Sequence, residues 1–194
     1  MNVAFRTVLL SGAVLIVGYA MACGGSSQPS TSPTTPPTTV PTTNSAAIAS
    51  DAALFKLVSQ TEPFGSYSLF PNADAVTRGT LNGSTAHQPM VRVSMNAKAL
   101  AALQNGKLPS GGTFPDGSII FKEVQTNGAT MIYVVLYKDS GNPRAGNGWL
   151  WAEFSPSGSV AYSIDGRGAA CTGCHSLEQG PKNDFVRTFE RQRP

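Results

Sequence analysis

The most regular feature of the chain is the alternation of apolar and polar residues in its second half. Val91, Val93 and Met95 alternate with Arg92 and Ser94, the period of two expected of a half-buried strand. Ser118 to Gln125 and Thr130 to Lys138 read as two further strands. The Asn127-Gly128 pair between them is a strong two-residue hairpin signal, because both residues tolerate positive φ. Trp149 to Phe154 and Ser159 to Ile164 are the next strands, with turns at Pro115-Asp116-Gly117 and Pro156-Ser157-Gly158. Helical spacing is scarcer. Ser50 or Asp51 can cap a helix to about Gln60 with Leu54, Leu57 and Val58 on one side. Asn96 can cap a short helix, Ala97 to Gln104, closed by Asn105-Gly106. Asn183 or Asp184 can start a last helix carrying Phe185, Val186 and Phe189 on one face. Residues 61–89 read as loop with one short strand at most. The sum is an α+β domain dominated by an antiparallel sheet of about five strands, with a few short helices.

Composition divides what precedes that domain. Arg6 is followed by a nearly unbroken apolar run, Val8 to Tyr19, then small residues and Cys23. The run is short for a membrane span and reads as an export signal over residues 1–22. A cysteine directly after such a site resembles the bacterial lipoprotein signal, which makes Cys23 the candidate acylated residue. Ordinary cleavage near Ala22, leaving a free Cys23, is the alternative. Residues 23–45 are Thr, Pro, Ser and Gly with Val40 the only large apolar side chain, a composition that cannot bury a core and reads as a tether. Residues 46–194 remain as one domain. The expected location is therefore outside the cytoplasm, on a membrane through a lipid anchor, facing the periplasm or cell exterior.

Charge changes the picture little. The formal net charge is +3 and the basic residues are scattered, which argues against nucleic acid. Arg187, Arg191 and Arg193 cluster near the end and are expected on a solvated helix face.

The candidate chemistry lies at Cys171-Thr172-Gly173-Cys174-His175, which fits the c-type haem attachment pattern. Two thiols at this spacing reach two vinyl groups of one porphyrin, and the adjacent histidine is carried beneath the iron. Cys171 and Cys174 are thus the candidate attachment residues and His175 the candidate iron ligand. A short-loop disulfide, a thioredoxin-like pair and a zinc site completed by His87 compete with this reading. No Met, His or Cys follows His175. A sixth ligand would have to come from His87, Met90, Met95, Met131 or a lysine upstream, so an open iron position is expected. His87 itself, in a polar loop, reads as a surface residue.

The stretch Phe114-Pro115-Asp116-Gly117-Ser118-Ile119-Ile120-Phe121-Lys122-Glu123-Val124, the late haem motif, and Asp184-Phe185-Val186 followed by Phe189 are similar to the cytochrome P460 family. The resemblance covers roughly residues 88–190, with none evident earlier. It implies one covalent haem c, a bond from Lys122 to the haem edge, and oxidation of hydroxylamine or a related small nitrogen compound with electrons passed to a redox partner protein. Asp165, Glu153 and Arg92 are then candidates for proton transfer or ligand contact. A homodimer would also accord with the family. Two other functions stay open: nitric oxide or gas binding without turnover, as in the related cytochrome c-prime-beta proteins, and membrane-tethered electron transfer. The tether and the candidate anchor are not part of the family core.

Overall fold

The computed structural model describes residues 47–81 and 84–193, within a compact unit spanning Thr43–Pro194. The expected signal, tether and Cys23 lie outside the described residues. No helix among the described residues is long and apolar enough to cross a membrane.

Seven strands form one antiparallel sheet: β1 (Ser68–Leu69), β2 (Thr77–Arg78), β3 (Met90–Met95), β4 (Ile119–Thr126), β5 (Ala129–Lys138), β6 (Trp149–Phe154) and β7 (Val160–Tyr162). Their order is β1-β3-β4-β5-β6-β7, with β2 beside β1 on the same edge of β3. The β4–β5 hairpin turns on Asn127 and Gly128, both at positive φ (51° and 79°), as the dipeptide predicts. Among the described residues three short α-helices accompany the sheet: α1 (Asp51–Lys56), α2 (Ala97–Ala101) and α3 (Thr172–His175). Ser50 caps α1 by accepting from the Ala53 N–H, and the helix widens into a π turn over Leu57–Thr61. Asp51 reaches across instead to accept from Ser163 Oγ and the Ile164 N–H. Asn96 caps α2, accepting from the Ala99 N–H at 3.0 Å.

The register assigns every sheet residue to a face. Val93, Lys122, Val134, Glu153 and Tyr162 are successive cross-strand partners and form one row. Met95, Ile120, Leu136 and Trp151 form a parallel row on the same face. Against this face pack Phe114, Val186 and Phe189 from the loops and the C-terminal segment. The opposite face buries Phe121, Val135, Leu150 and Phe154 beneath Leu54 and Val58 of the α1 region.

Four expectations are corrected. The region 61–89 holds two short strands, so the sheet has seven strands rather than about five. The last strand is short, β7 being followed by a 3-10 turn over Ile164–Gly166. Asp184 does not start a helix: it and Phe185 both adopt positive φ (50° and 65°), and only 3-10 turns flank them. The reason is the Asp184 side chain, which is taken by tertiary partners. Both its oxygens accept from Lys138 Nζ at 2.8 Å, and one accepts from the Phe114 N–H at 2.9 Å. The pair is buried, with side-chain exposures of 7% and 5%. Arg187 is buried at 4% rather than solvated, which overturns the expected arginine face.

Removing one partner of a buried ion pair strands the other charge. Asp184→Ala is therefore expected to cost about 3–5 kcal/mol of stability. Denaturant unfolding checks this; a loss below about 1 kcal/mol would show that Lys138 finds another partner.

Candidate functional site

The site is a pocket on the Lys122 face of the sheet, between the sheet, residues 79–81 and 84–91, and the C-terminal loops. Its floor is apolar: Val91 and Val93 from β3, Val134 from β5, and Trp151 from β6. Cys171, Cys174 and His175 enter from α3, Lys122 from β4, Glu153 from β6, and His87 from the loop before β3.

A single helical turn presents the three motif residues together, since the two cysteines are three positions apart in α3 and its cap. Close backbone approach fixes this loop. A Cβ on Gly168 would meet the Trp151 ring at 2.5 Å, and one on Gly180 would meet the His175 carbonyl oxygen at 1.9 Å. Both cysteines are free thiols. Burial pushes the Cys171 thiol up to about 11, with Glu153 adding to the effect. Cys174 is held by Arg187, whose Nη1 donates to its carbonyl oxygen and sulfur, each at 3.2 Å.

His175 is oriented more tightly still. Its Nδ1 lies 2.6 Å from the Phe185 carbonyl oxygen, which can only accept, so Nδ1 carries the proton and Nε2 keeps its lone pair. Burial, and then the charge of Lys122, hold the ring down at about 3, so the imidazole is neutral at physiological pH. Trp151 meets it edge-on at 4.9 Å. A neutral imidazole with one nitrogen anchored to a carbonyl and the other free is the arrangement of a metal-ligating histidine.

Lys122 sits between Val93 and Val134 in its row, and its Nζ is 3.1 Å from His87 Nδ1. Burial lowers its ammonium from 10.5 to about 8, assisted by the like charge of Arg191. His87 Nε2 faces Glu153 Oε1 at 3.5 Å. An ammonium that only donates and a carboxylate that only accepts fix the neutral tautomer of His87 between them. Burial, and then Lys122, lower the His87 imidazole as well.

Of the three proton-transfer candidates, only Glu153 reaches the pocket. Arg92 pairs with Glu123 at 2.6 Å on the other face of the sheet. Asp165 is exposed and pairs with Arg144 in a separate surface depression. Sequence reasoning placed His87 on the surface, yet its side chain is only 18% exposed. Nothing local marks it, because its burial comes with a contact across ten residues, the Gly79 N–H donating to the Pro89 carbonyl. None of the three methionines outside residues 1–46, Met90, Met95 and Met131, lines the pocket. Among the described residues no group of three or more His, Cys, Asp or Glu is placed to hold a metal ion, so the zinc alternative lacks ligands.

A family model for cytochrome P460 matches residues 73–188, more than half of the chain. The chain belongs to the cytochrome P460 family. The match begins earlier than the resemblance read from the sequence, taking in β2 and the loop that carries His87. No curated protein matches the chain significantly. Cytochrome P460 membership makes this a haem protein. The residues of the pocket fit that group: two thiols and an oriented neutral imidazole on one turn, facing an apolar floor.

Proposed function

We propose that this cytochrome P460 carries one haem c, joined by thioethers at Cys171 and Cys174, with its iron held by His175 near the C-terminus of the domain. We further propose that it oxidises hydroxylamine or a related small nitrogen compound and passes the electrons to a redox partner protein. The observation that carries the reading is the convergence of the haem motif, Lys122, His87 and Glu153 on one pocket.

The haem supplies an iron centre able to take electrons from a bound nitrogen compound. The protein residues do the rest. His175, anchored through Nδ1, offers its free nitrogen to the iron. Val91, Val93 and Val134 keep the pocket dry, which strengthens every charge interaction within it. Oxidation of hydroxylamine releases protons, and Glu153, linked through His87, is the group in the pocket able to receive them. Lys122 is the residue for the cross-link: burial lowers its ammonium to about 8 and so raises its neutral fraction. The C–N bond would replace an amine N–H and a haem-edge C–H, the two electrons going to an external oxidant such as dioxygen or a peroxide. The export signal, lipid anchor on Cys23 and tether would place the domain outside the cytoplasm on a membrane. A homodimer remains part of the family expectation.

The test is turnover of hydroxylamine with an artificial electron acceptor. Glu153→Gln should lower the rate by about 10²-fold or more while leaving the absorption spectrum unchanged. An unaltered rate would remove Glu153 from the mechanism. Absence of turnover in a wild-type protein that still captures nitric oxide would favour the c-prime-beta type of function, for which the apolar pocket floor is equally suited. Sharp low-spin bands would instead favour an electron carrier with His87 as sixth ligand.

A further inference from the structure

The pocket holds more positive charge than its acids answer. Lys122, Arg187 and Arg191 all line it, with Glu153 the acidic residue among the lining. Arg187 is engaged in a two-pronged pair with Glu190, at 3.0 and 2.8 Å, and lies 3.2 Å from Glu178. Arg191 has no carboxylate within ion-pair distance among the described residues. Burial, followed by the like charge of Arg187, lowers its guanidinium; Glu190 opposes this but is already held by Arg187.

Arg191 is nevertheless fixed in place. One Nη donates to the Thr80 carbonyl and the other to Thr77 Oγ1, tying it to β2. The residues after it are strapped down as well: Gln192 Nε2 donates to the carbonyls of Pro71 and Gly106, and the Arg193 N–H to that of Asn72. Of the five N–H donors a guanidinium carries, those two are satisfied by protein. A partly buried, rigidly held guanidinium with spare donors and no acid partner is built for an anion of planar, two-oxygen geometry.

We propose that Arg191 is a binding residue for the porphyrin itself, seating one of its propionate carboxylates. The inference rests on the haem reading above, and extends it to a residue beyond the family match, which ends at 188. An unpaired propionate stabilises the oxidised, more positive iron. Pairing with Arg191 cancels that effect, so the pair raises the reduction potential and keeps the propionate ionised.

The experiment is a spectroelectrochemical titration of holoprotein from mildly acidic to neutral pH, for wild type, Arg191→Gln and Arg191→Lys. Arg191→Gln keeps an N–H donor for the Thr80 carbonyl but loses the charge. Its oxidised-to-reduced ratio at fixed potential should rise about tenfold, a fall in midpoint of about 59 mV for one electron. Its midpoint should also become pH-dependent as the freed propionate titrates, while Arg191→Lys stays near wild type. An unchanged midpoint with unchanged pH dependence in Arg191→Gln overturns the proposal while leaving covalent haem intact. A wild-type protein without haem would instead overturn the haem reading and this inference together. Should Arg191→Gln not accumulate, the propionate bending band in resonance Raman decides. It shifts in Arg191→Lys if the guanidinium fork holds the carboxylate, and stays put if it does not.

Discussion

Protein carrying both Cys171→Ala and Cys174→Ala should emerge from a host that assembles c-type haem with no thioether-bound haem. Each single variant should retain one thioether, and in a Lys122→Ala background, where no haem-edge bond forms, only the double variant should lose all haem staining after denaturing electrophoresis. The reasoning is geometric. The two thiols sit on one face of a single turn, and that turn is fixed from three sides by Arg187, Gly168 and Gly180. Neither cysteine has a disulfide role that its loss would disturb. The effect is therefore expected to be close to complete, with the domain still folded, because the buried members of its two hydrophobic clusters include neither cysteine, Cys171 packing only at the margin of one. A double variant that retained covalent haem in the Lys122→Ala background would place the attachment elsewhere.

Lys122→Ala should convert the absorption of the ferrous protein from the red-shifted form of a cross-linked cofactor to that of an ordinary c-type haem. The bond to the haem edge requires a neutral amine, and burial provides one. Lowering the ammonium from 10.5 to about 8 leaves about a tenth of the lysine uncharged at pH 7, where a solvated lysine would offer far below a hundredth. The sign follows directly: the neutral fraction rises with pH, so the cross-linked fraction should increase when maturation is carried out as pH rises toward and through about 8. Identical spectra for wild type and Lys122→Ala would end the cross-link proposal, and a cross-linked fraction that fell with rising pH would contradict the amine's role.

Much of the architecture was legible because it is written in short-range signals. Asn127-Gly128 demands a two-residue hairpin, and that hairpin fixes β4 against β5 over most of their length. Asn96 announces its helix because its side chain finds a donor three residues on. The C-terminal segment was misread for the same reason in reverse. Asp184 looks like a helix cap locally, but its carboxylate is claimed by Lys138 and the Phe114 N–H, far away in sequence. Arg191 was likewise read as solvent-facing because its partners, Thr77 and Thr80, are distant in sequence; Arg187 has Glu190 only three residues on, but its burial comes with its contacts to Cys174 and Glu178.

The site was legible to the extent that covalent chemistry imposes spacing. Cys171, Cys174 and His175 needed only a motif, and Lys122 needed a strand period plus the family pattern. The surrounding residues depend on register, which no local pattern supplies. Arg92 and Val93 are neighbours, yet Val93 pairs with Lys122 and Arg92 with Glu123, so parity alone decides that Arg92 leaves the pocket. Glu153 reaches it because it lies in the Lys122 row with Val134 between them. The row ends at Tyr162 because β7 is the edge strand of the sheet, and the register shifts just beyond that pair, between Glu153 and Phe154.

The most direct test of the haem attachment is a tryptic digest of protein matured in a host that assembles c-type haem, read by mass spectrometry. Cleavage after Arg167 and Lys182 isolates the haem motif in the peptide 168–182. That peptide is predicted to carry one haem and, where Lys122 is bonded, to be linked to the uncut peptide 108–138. Recovery of 168–182 with both cysteines unmodified or joined to each other, alongside free 108–122, would contradict the account.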